Sequence, residues 1–388
     1  MLNPRLDLLS DYPFQRLTDL LGGPATPDSV VMSIGEPQHP PPPMVAAILA
    51  EQAAGWGKYP PANGTADFRR AVTDWLNRRF QLAPGLVDSE TAVLPVAGTR
   101  EALYLIAQVA CAPRGGRPPV VLLPNPFYQV YAGAAMMAGA EPVFVAGATP
   151  FAQPDFAALP AELLERTALA YLCSPANPQG AVADRALLER NVALARRAGF
   201  VLAVDECSSE IWDKAPPPGT LEAAGGRLDN LVGFHSLSKR SSVPGLRSGF
   251  VAGDPAIIKA FARLRSYGGA ATPLPVLAAA AALWRDEAHV EANRALYRAK
   301  FDLAERLLGD RFGFRRPPGG FFLWLDVGDG EVAALKLWRD AQIRVLPGAY
   351  LARAGSDGHN PGAAFIRVAL VHDLGLTERA LARFAEIL

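Results

Sequence analysis

Short runs of apolar residues alternate with longer amphipathic segments through the middle of the chain. The runs have the length of strands, and several are followed by a segment long enough for a helix. This alternation is typical of a mostly parallel sheet covered by helices on both faces. The predicted strands are residues 93–97, 120–123, 142–145, 168–173, 200–204, 231–234 and 249–252, and the predicted helices are 66–80, 102–110, 128–138 and 184–198.

The two ends of the chain have a different pattern. Residues 1–43 mix short apolar pieces with turns and end in four consecutive prolines, which favour an extended arm. After the apolar stretch at 276–284, the pattern predicts helices at 287–308 and 331–341 and a strand at 365–371. We therefore predict three parts, which are an N-terminal arm that also joins the small domain (1–43), a large α/β domain (44–285) and a small C-terminal α+β domain (286–388).

Composition and charge exclude several classes of protein. Half of the 388 residues are hydrophobic and 20% are charged, which is ordinary for a globular chain and argues against disorder. Lysine plus arginine equals aspartate plus glutamate, at 38 each, so the chain offers no basic field for nucleic acid and no polybasic membrane anchor. The longest apolar stretch, 276–284, is far shorter than the roughly eighteen residues that span a bilayer. Any bound anion must therefore be held by local donors.

Cysteine and histidine are too scattered to suggest a disulfide framework or a metal site. The three cysteines are Cys111, Cys173 and Cys207, and the five histidines are widely separated in sequence. The N-terminal residues lack the apolar run of a secretory signal. We expect a cytoplasmic protein with reduced thiols and no bound metal.

Polar residues follow the predicted strands at their carboxyl ends, where open parallel sheets bind ligands. A glycine-led helix start at residues 98–100 suits an anion, and Arg247 suits a phosphate clamp. Asp205 ends an apolar strand, where a carboxylate needs a cation or several donors, and Lys239 follows another strand. Each residue alone is also compatible with a helix cap, a surface ion pair or a solvated charge. Together they are the groups that pyridoxal 5′-phosphate (PLP) requires.

With these residues, the chain resembles the class I/II aminotransferases of PLP fold type I over nearly its whole length. The most specific segment is SLSKRSSVPGLRSGF, and the resemblance implies that Lys239 binds the PLP aldehyde covalently while Ser236 and Arg247 hold the phosphate. SPANPQG is similar to the family segment whose asparagine, here Asn177, donates to the ring hydroxyl of PLP. The family aspartate that pairs with the ring nitrogen corresponds to Asp205.

The same resemblance implies further contacts to cofactor and substrate. Tyr128 in PNPFYQVY would stack on the ring, Arg367 in FIRVAL would bind the substrate α-carboxylate, and Gly35 in SIGEP would cover it. Tyr59 in KYPPANG matches a tyrosine that reaches the phosphate of the neighbouring subunit, which implies a homodimer. The partners are then small amino and keto acids. Lys239, Asp205 and Tyr128 form the predicted catalytic set, and the remaining predicted cofactor contacts are Gly98, Thr99, Arg100 and Ser238.

One position departs from the family pattern. Three residues after Asp205 the family usually has a tyrosine that also contacts the ring hydroxyl, whereas this chain has Ser208. A serine hydroxyl reaches less far, so this contact is not carried over. The pairing of Asp205 with the ring nitrogen does not depend on it.

Several segments, including SIGEP followed by His39 and the segment GTREAL, are most similar to the proteobacterial succinyldiaminopimelate transaminases of lysine and peptidoglycan-precursor biosynthesis. This resemblance implies glutamate as the amino donor and a succinylated 6-oxopimelate as the acceptor. The alternatives are an aminotransferase for aspartate or aromatic substrates, a carbon–sulfur lyase on the same scaffold, and a PLP-binding regulator without catalysis. Arg16, Arg100 and Arg240 are the candidates for binding a distal carboxylate.

Overall fold

Strands and helices alternate through the computed structural model, which describes residues 2–9, 12–113 and 116–388. None of the described helices is both long enough and apolar enough to cross a membrane. The strands are β1 (Val30–Val31), β2 (Val93–Val96), β3 (Val120–Asn125), β4 (Glu141–Ala146), β5 (Thr167–Cys173), β6 (Val201–Asp205), β7 (Leu231–Ser236), β8 (Gly249–Gly253), β9 (Phe322–Asp326), β10 (Ile343–Arg344), β11 (Leu346–Pro347) and β12 (Phe365–Ala369). The α-helices are α1 (Pro13–Leu21), α2 (Met44–Glu51), α3 (Ala66–Phe80), α4 (Thr99–Ala110), α5 (Gln129–Met137), α6 (Ala161–Arg166), α7 (Arg185–Ala198), α8 (Leu237–Arg240), α9 (Pro255–Gly268), α10 (Leu274–Arg285), α11 (Ala288–Leu308), α12 (Gly330–Ala341) and α13 (Leu374–Ile387).

The large sheet has the strand order β2-β8-β7-β6-β5-β3-β4. Its pairs are parallel except for β2 with β8 and β8 with β7, so β8 alone runs against the other strands of this sheet. Every strand predicted between residues 93 and 252 lies in it. The predicted mostly parallel α/β fold is therefore confirmed, although the apolar pattern of β8 contained no sign of its reversed direction.

Helices cover both faces of this sheet because successive side chains of a strand point to opposite sides. In β3, Val120 and Leu122 join a buried cluster with α3, α7 and α10. The intervening Val121 and Leu123 join a second cluster with α4, α5 and α9. A strand buried on both faces has to be apolar at every position, which explains the continuous runs in the sequence.

Capping residues mark the ends of the helices that pack on the sheet. The Asp184 side chain accepts a hydrogen bond from the Leu187 N–H at 2.7 Å, and Gly199 ends α7 with a φ of 73°. Thr65 caps α3 in the same way by accepting from the Phe68 N–H at 3.2 Å. Such caps satisfy backbone groups that the helix itself leaves unpaired.

The C-terminal residues form a smaller antiparallel sheet in the order β11-β12-β9, against which α11, α12 and α13 pack. The N-terminal strand β1 pairs in parallel with β10, with Val30 opposite Ile343. The arm therefore contributes a strand that pairs with the C-terminal part of the chain. The exact domain bounds stay a prediction.

Candidate active site

A cavity of about 710 Å³ opens where the large sheet faces the C-terminal sheet. Strands β2, β5, β6 and β7 run in the same direction, so the residues after them meet at this edge. The cavity also contains residues of the N-terminal arm and of β9 and β12. The predicted site residues that line it are Gly35, Thr99, Arg100, Tyr128, Asn177, Asp205, Ser236, Ser238, Lys239, Arg247 and Arg367.

Two predicted residues do not line this cavity. Gly98 lies just before α4 with a φ of 80°, and a Cβ atom there would collide with the Arg247 guanidinium. Its role in this structure is to let that guanidinium approach the start of α4. Tyr59 is wholly exposed on the surface of the single chain. Its predicted contact with a phosphate therefore requires a second copy of the chain.

Lys239 extends from α8 into the cavity. Ser236 caps this short helix by accepting from the Ser238 N–H at 3.1 Å. The Lys239 Nζ donates to the Gly35 carbonyl and lies 5.3 Å from the centre of the Phe321 ring. Burial lowers the pKa of Lys239 to about 8, because the charged amine loses hydration. The neutral amine, which is the nucleophilic form, is therefore accessible near neutral pH.

Two donors hold the Asp205 carboxylate at the end of β6. The Tyr131 hydroxyl donates to Oδ2 at 2.7 Å, and the Cys207 N–H donates to Oδ1 at 3.1 Å. Burial, together with the neighbouring carboxylate, raises the pKa of Tyr131 well above its usual value, so its hydroxyl stays a donor. Tyr131 was not among the predicted site residues, although its position three residues after Tyr128 at the start of a helix places both rings on one side.

Hydroxyl and guanidinium donors lie together near the start of α4. The Ser236 hydroxyl donates to the Ser238 hydroxyl at 3.0 Å. Arg247 directs its guanidinium to the same region, where it donates to the Ala97 carbonyl at 3.3 Å. Helix α4 begins at Thr99, and the backbone N–H groups of a helix start favour an anion. This group of donors has the chemistry of a phosphate site.

Tyr128 and Arg100 form a pair at the wall of the cavity. The Arg100 Nε donates to the Tyr128 hydroxyl at 2.7 Å. Burial raises the pKa of Tyr128 to about 12, so the ring remains a neutral phenol and does not neutralise the guanidinium. Arg100 is exposed and keeps donors for a ligand.

Arg367 is a buried guanidinium that no carboxylate in the described part of the chain neutralises. It donates to Asn177 Oδ1 at 2.8 Å and to the Ser33 carbonyl at 2.6 Å, and it lies 4.3 Å from the centre of the Phe322 ring. Its Nε has no hydrogen-bond partner, and burial lowers its pKa. Since a buried cation without an anion is costly, this position is suited to an anionic ligand.

The three arginines considered for a distal carboxylate have different surroundings. Arg100 lines the cavity. Arg240 is buried outside the cavity lining and pairs with Glu287 at 2.7 Å, which removes it from the candidates. Arg16 lies 3.8 Å from the centre of the Tyr350 ring and does not line the cavity. The prediction for Arg240 was wrong because sequence alone did not show that its charge was already paired.

The cavity residues fit PLP. An amine, a carboxylate held by two donors, a group of phosphate donors and an unneutralised guanidinium are the groups that PLP and an amino acid need. Gly98 lets the Arg247 guanidinium approach the start of α4, where it is available to a phosphate, and the unpartnered Arg367 Nε is a buried donor available to a carboxylate. Ser208 also lines the cavity.

The model for the aminotransferase class I and II family matches residues 27–384, so the chain belongs to this family. It is therefore a PLP-dependent aminotransferase, an enzyme that acts on small amino and keto acids. The predicted cofactor and reaction class are confirmed.

Individual relatives cover nearly the whole chain. The crystal structure of an aminotransferase from Neisseria meningitidis Z2491 is 41% identical, covers 99% of both chains and superposes with a TM-score of 0.93. The 4-dedimethylamino-4-oxo-anhydrotetracycline transaminase OxyQ of Streptomyces rimosus is 36% identical over 85% of this chain and 88% of its own length. The LL-diaminopimelate aminotransferase of Desulforudis audaxviator (strain MP104C) is 33% identical over 89% and 88%. These likenesses confirm PLP fold type I.

Proposed function

We propose that the protein is a succinyldiaminopimelate transaminase, which moves an amino group from glutamate to N-succinyl-2-amino-6-oxopimelate in the diaminopimelate and lysine pathway. The observation that carries this proposal is that two arginines besides Arg247, the proposed phosphate ligand, line one cavity. In the described part of the chain Arg367 is buried without an anion and Arg100 is exposed on the wall, an arrangement that suits a substrate with more than one carboxylate. Similarity to an LL-diaminopimelate aminotransferase supports the pathway and makes unacylated diaminopimelate the second candidate.

A comparison of matched substrates tests this assignment. With 2-oxoglutarate as acceptor, we expect kcat/KM for N-succinyl-LL-diaminopimelate to exceed that for LL-diaminopimelate by about 10- to 100-fold, because one charge-assisted contact to the succinyl carboxylate is gained. The N-acetyl analogue, which lacks that carboxylate, is the control and should resemble the unacylated substrate. A preference for oxaloacetate in the forward direction, or pyruvate release from cystathionine, would contradict the assignment.

In the proposed reaction, Lys239 carries the cofactor and then moves a proton at the substrate Cα. PLP supplies an electron sink for the pair left when that proton is removed. The lowered pKa of the Lys239 amine favours the neutral form that a general base needs. Asp205, held by Tyr131 and Cys207, keeps the ring nitrogen protonated. Arg367 orients the α-carboxylate, which decides which bond at Cα breaks.

The other predicted residues complete the proposed site. Asn177 accepts from Arg367 through its Oδ1, which leaves its NH₂ group available for the ring hydroxyl. Tyr128 stacks on the ring and the Gly35 segment covers the substrate. Ser208 has the same single hydroxyl donor as the usual tyrosine but a shorter reach towards the ring hydroxyl. The phosphate is assigned to Gly98, Thr99, Ser236, Ser238 and Arg247. Arg100, which was also predicted as a cofactor contact, is assigned to the distal carboxylate of the substrate.

A homodimer completes the proposed site. Tyr59 is fully exposed, and Trp56, three residues before it, exposes 55% of its surface, so this segment is free to contact a second chain. Tyr59 of each protomer would then reach the phosphate site of the other. A cytoplasmic location stays a prediction.

The pKa of Lys239 predicts how the protein without cofactor captures PLP. Only the neutral amine attacks an aldehyde, and burial lowers the pKa of this amine from an ordinary value near 10.5 to about 8. The capture rate at fixed PLP concentration should therefore rise with pH and level off above pH 8. Stopped-flow absorbance measures it, and a lysine peptide is the control. A rate that still rises steeply at pH 10 would contradict the lowered pKa.

A further inference from the structure

A second buried lysine, Lys300 of α11, belongs to a chain of polar side chains behind the cavity. Its Nζ lies 2.7 Å from Nε2 of His39 and donates to the Leu370 carbonyl at 3.0 Å. Nδ1 of His39 lies 2.8 Å from Oδ1 of Asn293. The Asn293 NH₂ group donates to the Lys239 carbonyl at 3.0 Å. The chain therefore connects a buried ammonium with the backbone of the proposed cofactor lysine.

In the series from Lys300 through His39 to Asn293, each side chain donates its hydrogen bond to the next, and Asn293 donates to the Lys239 carbonyl. The amide of Asn293 also donates to the Arg240 carbonyl at 3.2 Å, so its NH₂ group faces two carbonyls and its Oδ1 faces His39. An amide oxygen only accepts, which places the hydrogen of His39 on Nδ1. A neutral histidine has one N–H, so Nε2 accepts from Lys300. The Lys300 amine thus determines the tautomer of His39. His39 in turn determines the orientation of the Asn293 amide.

The surroundings of Lys300, His39 and Asn293 favour a neutral His39. Lys300 is only 1% exposed, and burial lowers its pKa to about 7, while Asp373 acts in the opposite direction. Burial also lowers the pKa of His39, as does the neighbouring Lys300. His372 is a third basic group near this lysine. The Tyr297 ring lies 4.8 Å from the Lys300 Nζ, and its hydroxyl has no hydrogen-bond partner among the residues that the structure describes.

Asn293, the last residue of this hydrogen-bonded series, donates to α8, a helix too short to pair its own last carbonyl groups. Helix α8 has four residues, so its last carbonyl groups have no partner within the helix. Asn293 supplies donors to two of them. On the other side, the Ser242 hydroxyl donates to the His39 carbonyl at 2.8 Å, which fixes the segment that follows Gly35. The Gly35 carbonyl accepts a hydrogen bond from the Lys239 amine.

We propose that Lys300, His39 and Asn293 are positioning residues for the reaction, which fix both the helix turn that carries Lys239 and the arm segment that its side chain faces. None of the three lines the cavity, so they act through Lys239 and not on the substrate. The inference rests on the proposed role of Lys239 as the cofactor lysine.

The absorbance of the cofactor-bound protein tests this inference. Because the Lys239 nitrogen is part of the chromophore, the pH midpoint of the visible band reports its surroundings. Lys300→Met keeps an unbranched side chain that is one heavy atom shorter and removes the donor. We expect a midpoint shift of at least about 0.5 pH unit and a kcat about tenfold lower, with KM changed by less than about twofold.

A double-mutant cycle tests whether the residues act as one chain. His39→Phe should have a similar effect to Lys300→Met, and the double variant should be no worse than either, because the same chain is already broken. His39→Gln retains a donor and an acceptor and should recover part of the kcat. Tyr297→Phe is the matched control, since it changes the same turn of α11 and removes a hydroxyl without a partner. It should leave the midpoint and kcat unchanged.

An unchanged midpoint in Lys300→Met, or strictly additive effects in the double variant, would overturn the inference. If Lys300→Met does not fold, the same measurements on His39→Gln and His39→Phe decide the question. A pH transition of the visible band that persists unchanged in Lys239→Ala would contradict the proposed function instead. A transition that is lost in Lys239→Ala but does not move in the Lys300 and His39 variants would contradict this inference alone.

Discussion

Replacing Lys239 with alanine is expected to lower kcat for glutamate-dependent amination by about 10⁴-fold or more. The change removes two functions at once, which are the covalent attachment of the cofactor and the proton carrier at the substrate Cα. The donors near the start of α4 and the Asp205 carboxylate remain, so PLP should still bind weakly. Single-turnover kinetics and the visible absorbance of the purified variant measure both effects.

Peptide mapping after borohydride reduction provides the complementary experiment. In the wild-type protein the reduced cofactor should be attached to Lys239. The control is Lys259→Ala, which removes an exposed lysine outside the cavity and should retain both the attached cofactor and the activity. A label on another residue, or full turnover of Lys239→Ala without added amine, would show that the site is assigned wrongly.

Replacing Arg367 with alanine is expected to lower kcat/KM by about 10²- to 10³-fold, mainly through KM. The guanidinium is buried, makes two short hydrogen bonds and has no anion of its own, so a substrate carboxylate gains a strong and oriented contact there. Arg367 makes no hydrogen bond to Lys239 or to the phosphate donors, although its charge contributes to the lowered pKa of Lys239. The cofactor absorbance should therefore be intact, and steady-state kinetics with glutamate measure the loss.

Arg344→Ala is the matched control for this variant. Arg344 is also a buried arginine in the C-terminal unit, and it donates to the Gly23 carbonyl at 2.9 Å, but it does not line the cavity. Its loss should lower the melting temperature and leave KM unchanged. An unaltered KM in Arg367→Ala would rule out its role in binding the carboxylate.

Local sequence was sufficient to predict the residues that the topology collects at one edge of the sheet. Asp205 and Ser236 end the parallel strands β6 and β7, and Lys239 lies just after β7, so their convergence follows from the strand pattern. Arg367 and Gly35 come from distant segments, and no local pattern places them in the cavity. The predictions for these two residues came only from the resemblance to the class I/II aminotransferases.

Other features depend on long-range contacts that no periodicity contains. The reversed direction of β8 follows from its pairing between β2 and β7, and its apolar residues would suit either direction. Tyr131 was missed because its hydroxyl meets Asp205 only after α5 and β6 pack together. Arg240 was misjudged because its partner Glu287 is distant in sequence.

The pairing of β1 with β10 has a consequence for how the enzyme is made. Residue 343 must leave the ribosome before the N-terminal arm finds its strand partner, and Arg367 is translated more than a hundred residues after Lys239. At typical synthesis rates that interval lasts roughly ten seconds. Lys239 is thus synthesised well before the arginine proposed to bind the substrate, and the cavity that contains both residues is complete only when nearly the whole chain has been translated.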